Sequence, residues 1–184
     1  MLLRNILYFS TLVILEMKLN LGCRNRPLPG FVGMDIDKHE DVDIVGDVSD
    51  LSQFKDDSIE EIYASHILEH FPHTKTDKVL SEWNRVIIPS GKLYIAVPNF
   101  ARCVELYQSI GMCEWLRNYI WGDQIYKTAF HYCGFDEACL ASLLMRCGFT
   151  GVLRTNFFEF ANDCSTNVSN VDGKSVSLNM IGIK

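Results

Sequence analysis

The sequence has no Cys-x-x-Cys pair, no internal repeat, no low-complexity tract and no excess of basic charge. It also lacks any apolar run near the ~20 residues needed to span a bilayer. Each absence removes a class of protein. The seven cysteines are odd in number and unpaired in spacing, so they do not read as a zinc ribbon or a disulfide framework. Several sit in apolar runs, where a free thiol behaves as a small core residue, so reduced thiols in a cytoplasmic protein are expected. No transmembrane span is expected. Lys and Arg number 17 against 23 Asp and Glu, a net charge of −6, and only Arg24 and Arg26 approach a basic cluster. Phosphate neutralisation supplies most nucleic-acid affinity, so the balance argues against a nucleic-acid partner.

What is present fits one compact α/β domain. The chain has 184 residues, 48% hydrophobic and 22% charged, with apolar positions recurring along nearly all of it. A chain of that size buries roughly two-thirds of its unfolded surface and leaves no room for a second full domain. Residues 1–16 read separately, as an apolar N-terminal extension ahead of a single domain over 17–184. Met1-Leu2-Leu3-Arg4 and the apolar stretch Ile6 to Leu15 resemble the start of a signal peptide, but no small-residue cleavage site precedes Lys18. An extension or added packing segment, a membrane-surface anchor and a secretion signal stay open, as does a homodimer formed through this segment.

Strand and helix patterns alternate, which predicts a Rossmann-like doubly wound, mainly parallel seven-stranded sheet with helices on both faces. The strands are expected at 18–22, 32–36, 42–48, 59–65, 92–97, 149–155 and 176–183. Val79, Leu80, Trp83, Val86 and Ile87 share one face of a helix over Thr76 to Ile87. A second helix is expected through Val104 to Tyr119. A third is expected from an N-cap at Asp136 through Cys147, ending on Gly148. Pro27-Leu28-Pro29-Gly30 leaves room only for a shortened first helix between strands one and two.

In such sheets ligands bind beyond the carboxyl ends of the strands. Leu19-Asn20-Leu21-Gly22-Cys23 ends the first strand on a glycine, which permits close backbone approach, and Asp35 ends the second, where an acid can hold two ribose hydroxyls. Gly46-Asp47-Val48 closes the third strand, and Ser65-His66-Ile67-Leu68-Glu69-His70 leaves the fourth. Then come Glu82-Trp83-Asn84-Arg85-Val86, Pro89-Ser90-Gly91, Leu93-Tyr94-Ile95-Ala96-Val97-Pro98, Trp121-Gly122-Asp123-Gln124 and His131-Tyr132-Cys133-Gly134-Phe135.

Read in that order, the motifs resemble the class I S-adenosylmethionine-dependent methyltransferases, and most of all the small bacterial and phage type with an LNLGC start and an SHxLEH fourth motif. The resemblance covers nearly all of 17–184 and implies S-adenosylmethionine as cofactor. It implies that Asn20, Gly22 and Cys23 line the methionine end. Asp35 would take the ribose hydroxyls with Ile36 against the adenine, and Asp47 and Val48 would meet the adenine edge and face. Ser65 and His66 would lie under the sulfonium. His66, His70 and His131, in that order, are the candidates for accepting a proton from a small hydroxylated, sugar-like substrate.

One departure matters: Arg24 stands where the family has its second glycine. A bulky cation there supports, as the alternative reading, a degenerate, non-catalytic methyltransferase fold serving as a binding or partner subunit. His66-x-x-Glu69-His70 also spells H-x-x-E-H, a zinc signature that requires a long helix. Pro72 interrupts any such helix, so no metal is expected. Trp115, Tyr119 and Trp121 read as core or as walls of a substrate pocket.

Overall fold

The computed structural model describes residues 17–169 and 171–184. The alternatives for residues 1–16, including dimerisation, lie outside the described residues. The strands are β1 Met17–Leu21, β2 Val32–Asp35, β3 Ile44–Val45, β4 Ile59–Ser65, β5 Ile87–Pro98, β6 Gly151–Thr155 and β7 Ser177–Ile183. They form one sheet in the order β3-β2-β1-β4-β5-β7-β6. The first five are parallel, and β7 runs antiparallel between β5 and β6. The chain steps outward from β1 to β3, then returns to β4 on the other side of β1. That reversal is the switch point, and it opens a crevice beyond the ends of β1 and β4.

Helix α1 (His73–Val86) buries Val79, Leu80, Trp83 and Val86, the face the periodicity marks. These side chains join Leu19, Leu21, Ile62, Ala64, Leu93, Ile95 and Met180 from the sheet, and Leu140, Leu143 and Leu144 from α4 (Glu137–Arg146), in the main core. Trp83 also donates its indole N–H to the Val48 carbonyl at 2.8 Å, tying α1 to the exit of β3. The opposite face of the sheet is sealed at its centre by loop side chains rather than by a helix: Phe158 and Ala161, with Leu28 and Phe31, pack on Tyr63, Tyr94 and Ala96. All seven cysteines are free thiols. Among the described residues no helix is long and apolar enough to cross a membrane.

Several expectations need correction. The first crossover holds no helix, not a shortened one. Pro27 and Pro29 remove two N–H donors, and the chain goes from β1 to β2 through turns closed by Arg26 N–H to Cys23 O and Phe31 N–H to Leu28 O. β3 is two residues long, not seven, because Asp43 turns its carboxylate onto the Gly33 N–H at 2.7 Å. The expected helix over 104–119 is two helices, α2 (Phe100–Ile110) and α3 (Glu114–Trp121), split where Gly111 takes φ +72° and ends α2. Conversely, the fifth strand, expected at 92–97, already begins at Ile87 and takes in Pro89-Ser90-Gly91. The strand carries an irregularity there, with Ser90 at φ +68° and a shift in pairing with β4.

Candidate functional site

A cleft of about 1000 Å³ lies over the switch point, at the upper end of the size of ligand pockets. It collects residues from the ends of four parallel strands: Gly22 after β1, Asp35 and Ile36 from β2, Asp47 and Val48 after β3, and Ser65 and His66 from β4. His70 and His131 line it as well. Asn20 and Cys23 do not. The Asn20 side chain is buried and donates to the Arg26 carbonyl at 3.0 Å, pinning the first crossover. Cys23 is buried with its sulfur against Gly33, and burial pushes its thiol up to about 11.

Gly22 has two reasons to be glycine. Its φ is +70°, and an added Cβ would come 1.9 Å from the Ile67 side chain. Its N–H donates to the Met34 carbonyl at 2.7 Å, which closes the loop directly onto β2. Asp35 is buried, and each of its carboxylate oxygens accepts one backbone N–H, from Arg24 at 2.8 Å and from Asp37 at 3.0 Å. A carboxylate oxygen has two lone pairs, so both oxygens keep one for a ligand hydroxyl. Ile36 beside it is 54% exposed, an apolar side chain left uncovered in the cleft. Asp47 accepts both the N–H and the hydroxyl of Ser49 on one oxygen.

Arg24 takes φ +46° and carries its guanidinium to Tyr126, which it meets by a hydrogen bond to the phenol and by lying 5.3 Å from the ring centroid. The cation therefore ends at Tyr126 rather than over Gly22. His66 also has a left-handed backbone, φ +56°, and its N–H donates to Ala96 O at 2.8 Å. Of the five non-glycine residues with positive φ among the described residues, Arg24 and His66 stand just beyond strand ends and line the cleft, where stored backbone strain commonly accompanies function.

Behind His66 lies a polar network. The Ser177 hydroxyl donates to the Cys164 carbonyl at 2.8 Å and sits 2.9 Å from His66 Nε2 and 3.1 Å from the Tyr119 phenol. His66 Nδ1 is 3.2 Å from a carboxylate oxygen of Glu69, which is fully buried. Burial pushes the Glu69 carboxyl up, but His66, His70 and His131 outweigh it and hold the group below the usual carboxylate range. Burial pushes His131 down, so its imidazole is held neutral.

Trp115 and Tyr119 stack on one another and line the cleft, whereas Trp121 does not line it. Cys164 and Asn167 also line it, from the segment that seals the far face of the sheet, and the Cys164 sulfur is 3.3 Å from the Ser65 hydroxyl. Neither was legible as a site residue, since each lies distant in sequence from the strand-end motifs.

With this geometry in place, known proteins supply the comparison. Residues 29–95 match the family model described as a methyltransferase domain. Similar solved structures include an S-adenosylmethionine-dependent methyltransferase from Archaeoglobus fulgidus, 16% identical, covering 92% of this chain and 86% of that one with a TM-score of 0.61. The fold is that of a class I S-adenosylmethionine-dependent methyltransferase. A second similar structure is the Burkholderia thailandensis 1,6-didemethyltoxoflavin-N1-methyltransferase with its substrate and S-adenosylhomocysteine bound, at 15% identity, 91% and 70% coverage and a TM-score of 0.58. A third is the methyltransferase of a Haloferax volcanii complex with the Trm112 activator, at 16% identity, 91% and 82% coverage and a TM-score of 0.56. No curated protein matches the sequence. The methyltransferase-domain match runs from the first crossover to β5 and so takes in Asp35, Ile36, Asp47, Val48, Ser65 and His66.

Proposed function

We propose that the chain is an S-adenosylmethionine-dependent methyltransferase acting on a small hydroxylated, sugar-like acceptor. One observation carries the reading: in a methyltransferase fold, Gly22, Asp35, Ile36, Asp47, Val48, Ser65 and His66 converge from four strand ends on a single cleft. The residues suit the cofactor. Asp35 keeps a free lone pair on each oxygen for the ribose hydroxyls, Ile36 offers an uncovered apolar surface to the adenine, and the Gly22 turn leaves backbone open to the methionine end. When bound, the cofactor supplies a methyl group on a positively charged sulfur, which is a good leaving group.

The chain's own part is position and proton handling. His66 sits at the head of β4 with its ring held by Ser177, and Trp115, Tyr119 and Tyr126 wall the neighbouring space with aromatic faces that suit the apolar side of a sugar ring. His66, His70 and His131 are the groups placed to take an acceptor proton.

Calorimetric titration with S-adenosylmethionine and S-adenosylhomocysteine tests the cofactor site. Micromolar binding is expected, weakened tenfold or more by Asp35→Ala and by Ile36→Asp. The second variant changes an exposed side chain and so separates loss of the site from loss of the fold. No heat with either ligand in a folded sample would overturn the proposal.

A further inference from the structure

Two histidines that line the cleft, His70 and His131, form a cluster with Glu69, which lies buried beside it. A carboxylate oxygen of Glu69 and one ring nitrogen each of His70 and His131 lie within 4.8 Å of one another. Glu69 is fully buried, and apart from His66 Nδ1, 3.2 Å from one oxygen, its carboxylate has no polar partner. A buried carboxylate with so little compensation is costly, and such groups ordinarily pair or coordinate a cation.

The two histidines are held in the orientation a cation needs. His70 Nδ1 is 3.0 Å from the Phe130 carbonyl and His131 Nδ1 is 3.1 Å from the Tyr119 carbonyl. A carbonyl can only accept, so in both rings Nδ1 carries a hydrogen and Nε2 is the nitrogen left for a ligand. Metal-ligating histidines are oriented by such a bond from the second nitrogen. His66 stands beside the cluster: the Ser177 hydroxyl hydrogen is committed to Cys164, so His66 Nε2 is the donor in its contact with Ser177, and His66 Nδ1 lies 3.2 Å from the Glu69 carboxylate. A carboxylate and two imidazole nitrogens gathered around one point call for positive charge between them.

We propose that Glu69, His70 and His131 bind a divalent first-row transition-metal ion, zinc foremost, with its open coordination positions facing the cleft. Two imidazoles and one carboxylate are a known zinc ligand set that leaves a position for water or substrate. Ligand atoms each about 2.1 Å from one ion can be at most about 4.2 Å apart, so small side-chain movements complete the site. The broken helix after His70 is no obstacle: a single 3-10 turn, Leu68–His70, places Glu69 and His70, and the segment carrying His131 is tied to it through the Tyr132 N–H to Glu69 O bond of 2.7 Å. If the cleft is a methyltransferase site, the ion would hold an acceptor hydroxyl, whose proton passes to solvent, ready for attack. That consequence rests on the methyltransferase reading; the ion site does not.

The test is titration of the metal-free, reduced full chain with Co2+, read by its visible absorption and by competition with Zn2+. Stoichiometric binding without a thiolate charge-transfer band is expected, weakened by an order of magnitude or more in His70→Ala and in His131→Ala, each checked for native circular dichroism. S-adenosylhomocysteine binding is measured on the same samples. Cobalt binding without nucleoside binding would sink the methyltransferase reading and leave the metal site standing. No cobalt binding, or binding with a thiolate band that survives both variants, would overturn the metal site.

Discussion

His66, Gly22 and Arg24 share a left-handed backbone beside the cleft, which Gly22 adopts without strain and the other two do not. Gly22 meets Ile67 where a Cβ would stand, so Gly22→Ala combines overpacking with an unfavourable φ. A loss of about 3 kcal/mol is expected, measured as a shift in the denaturant midpoint at unchanged slope. Arg24 carries the one sequence feature that argued for a degenerate site, and its guanidinium is taken up by Tyr126 instead. Tyr126→Phe should therefore lower cofactor affinity by freeing that cation to move over the Gly22 turn, visible as a weaker S-adenosylhomocysteine constant with unchanged stability. These matters were not legible beforehand, because a residue's φ and its partner a hundred positions away leave no local pattern. That Asp35, Ile36, Asp47 and Val48 would meet in one cleft was legible, since each lies at or just beyond a strand end and the fold brings strand ends together.

At the scale of elements, the best-read segments are those with a complete pattern and clear stops. β4 stands at Ile59–Ser65 as expected, because the apolar run Ile62-Tyr63-Ala64 and Ile59 before it are bounded by Asp57-Ser58 and by the turn at His66. Helix α4 begins after Asp136, whose carboxylate accepts the Cys139 N–H at 2.8 Å. Asp136→Ala should cost about 1 kcal/mol, seen as a lower thermal midpoint. β3 was overread because Val42, Ile44, Val45 and Val48 look like a strand, while the acids between them bond Gly33 of β2 and Ser49 of the following turn. The split of α2 from α3 hangs on Gly111 alone, a residue that a helical pattern can also tolerate.

For the molecule as a whole, acid should act on the joints between the sheet and its loops. Arg85 holds Glu82 and also binds the Leu51 and Phe54 carbonyls, and Glu82 takes the Leu51 N–H, so the pair clamps the segment after β3 onto α1. The Arg85 guanidinium keeps the Glu82 carboxyl below the usual range. A carboxyl depressed in the folded state adds stability that is complete above its unfolded value, about 4.3, and fades as pH falls through the folded one. Stability should therefore hold from neutrality to about that pH and then drop, with a shallower drop in Glu82→Gln, as urea unfolding at a series of pH values would show.

The plug that covers the far face of the sheet has a second reach. Phe158 and Ala161 sit in it, and a few residues on the same loop delivers Cys164 and Asn167 to the floor of the cleft. Warming that shakes the plug loose would distort the floor before any strand parts, so the ability to hold a ligand should fade at a lower temperature than the helical and sheet signal. A bound ligand, by bracing the floor, would in turn keep the rear of the sheet dry.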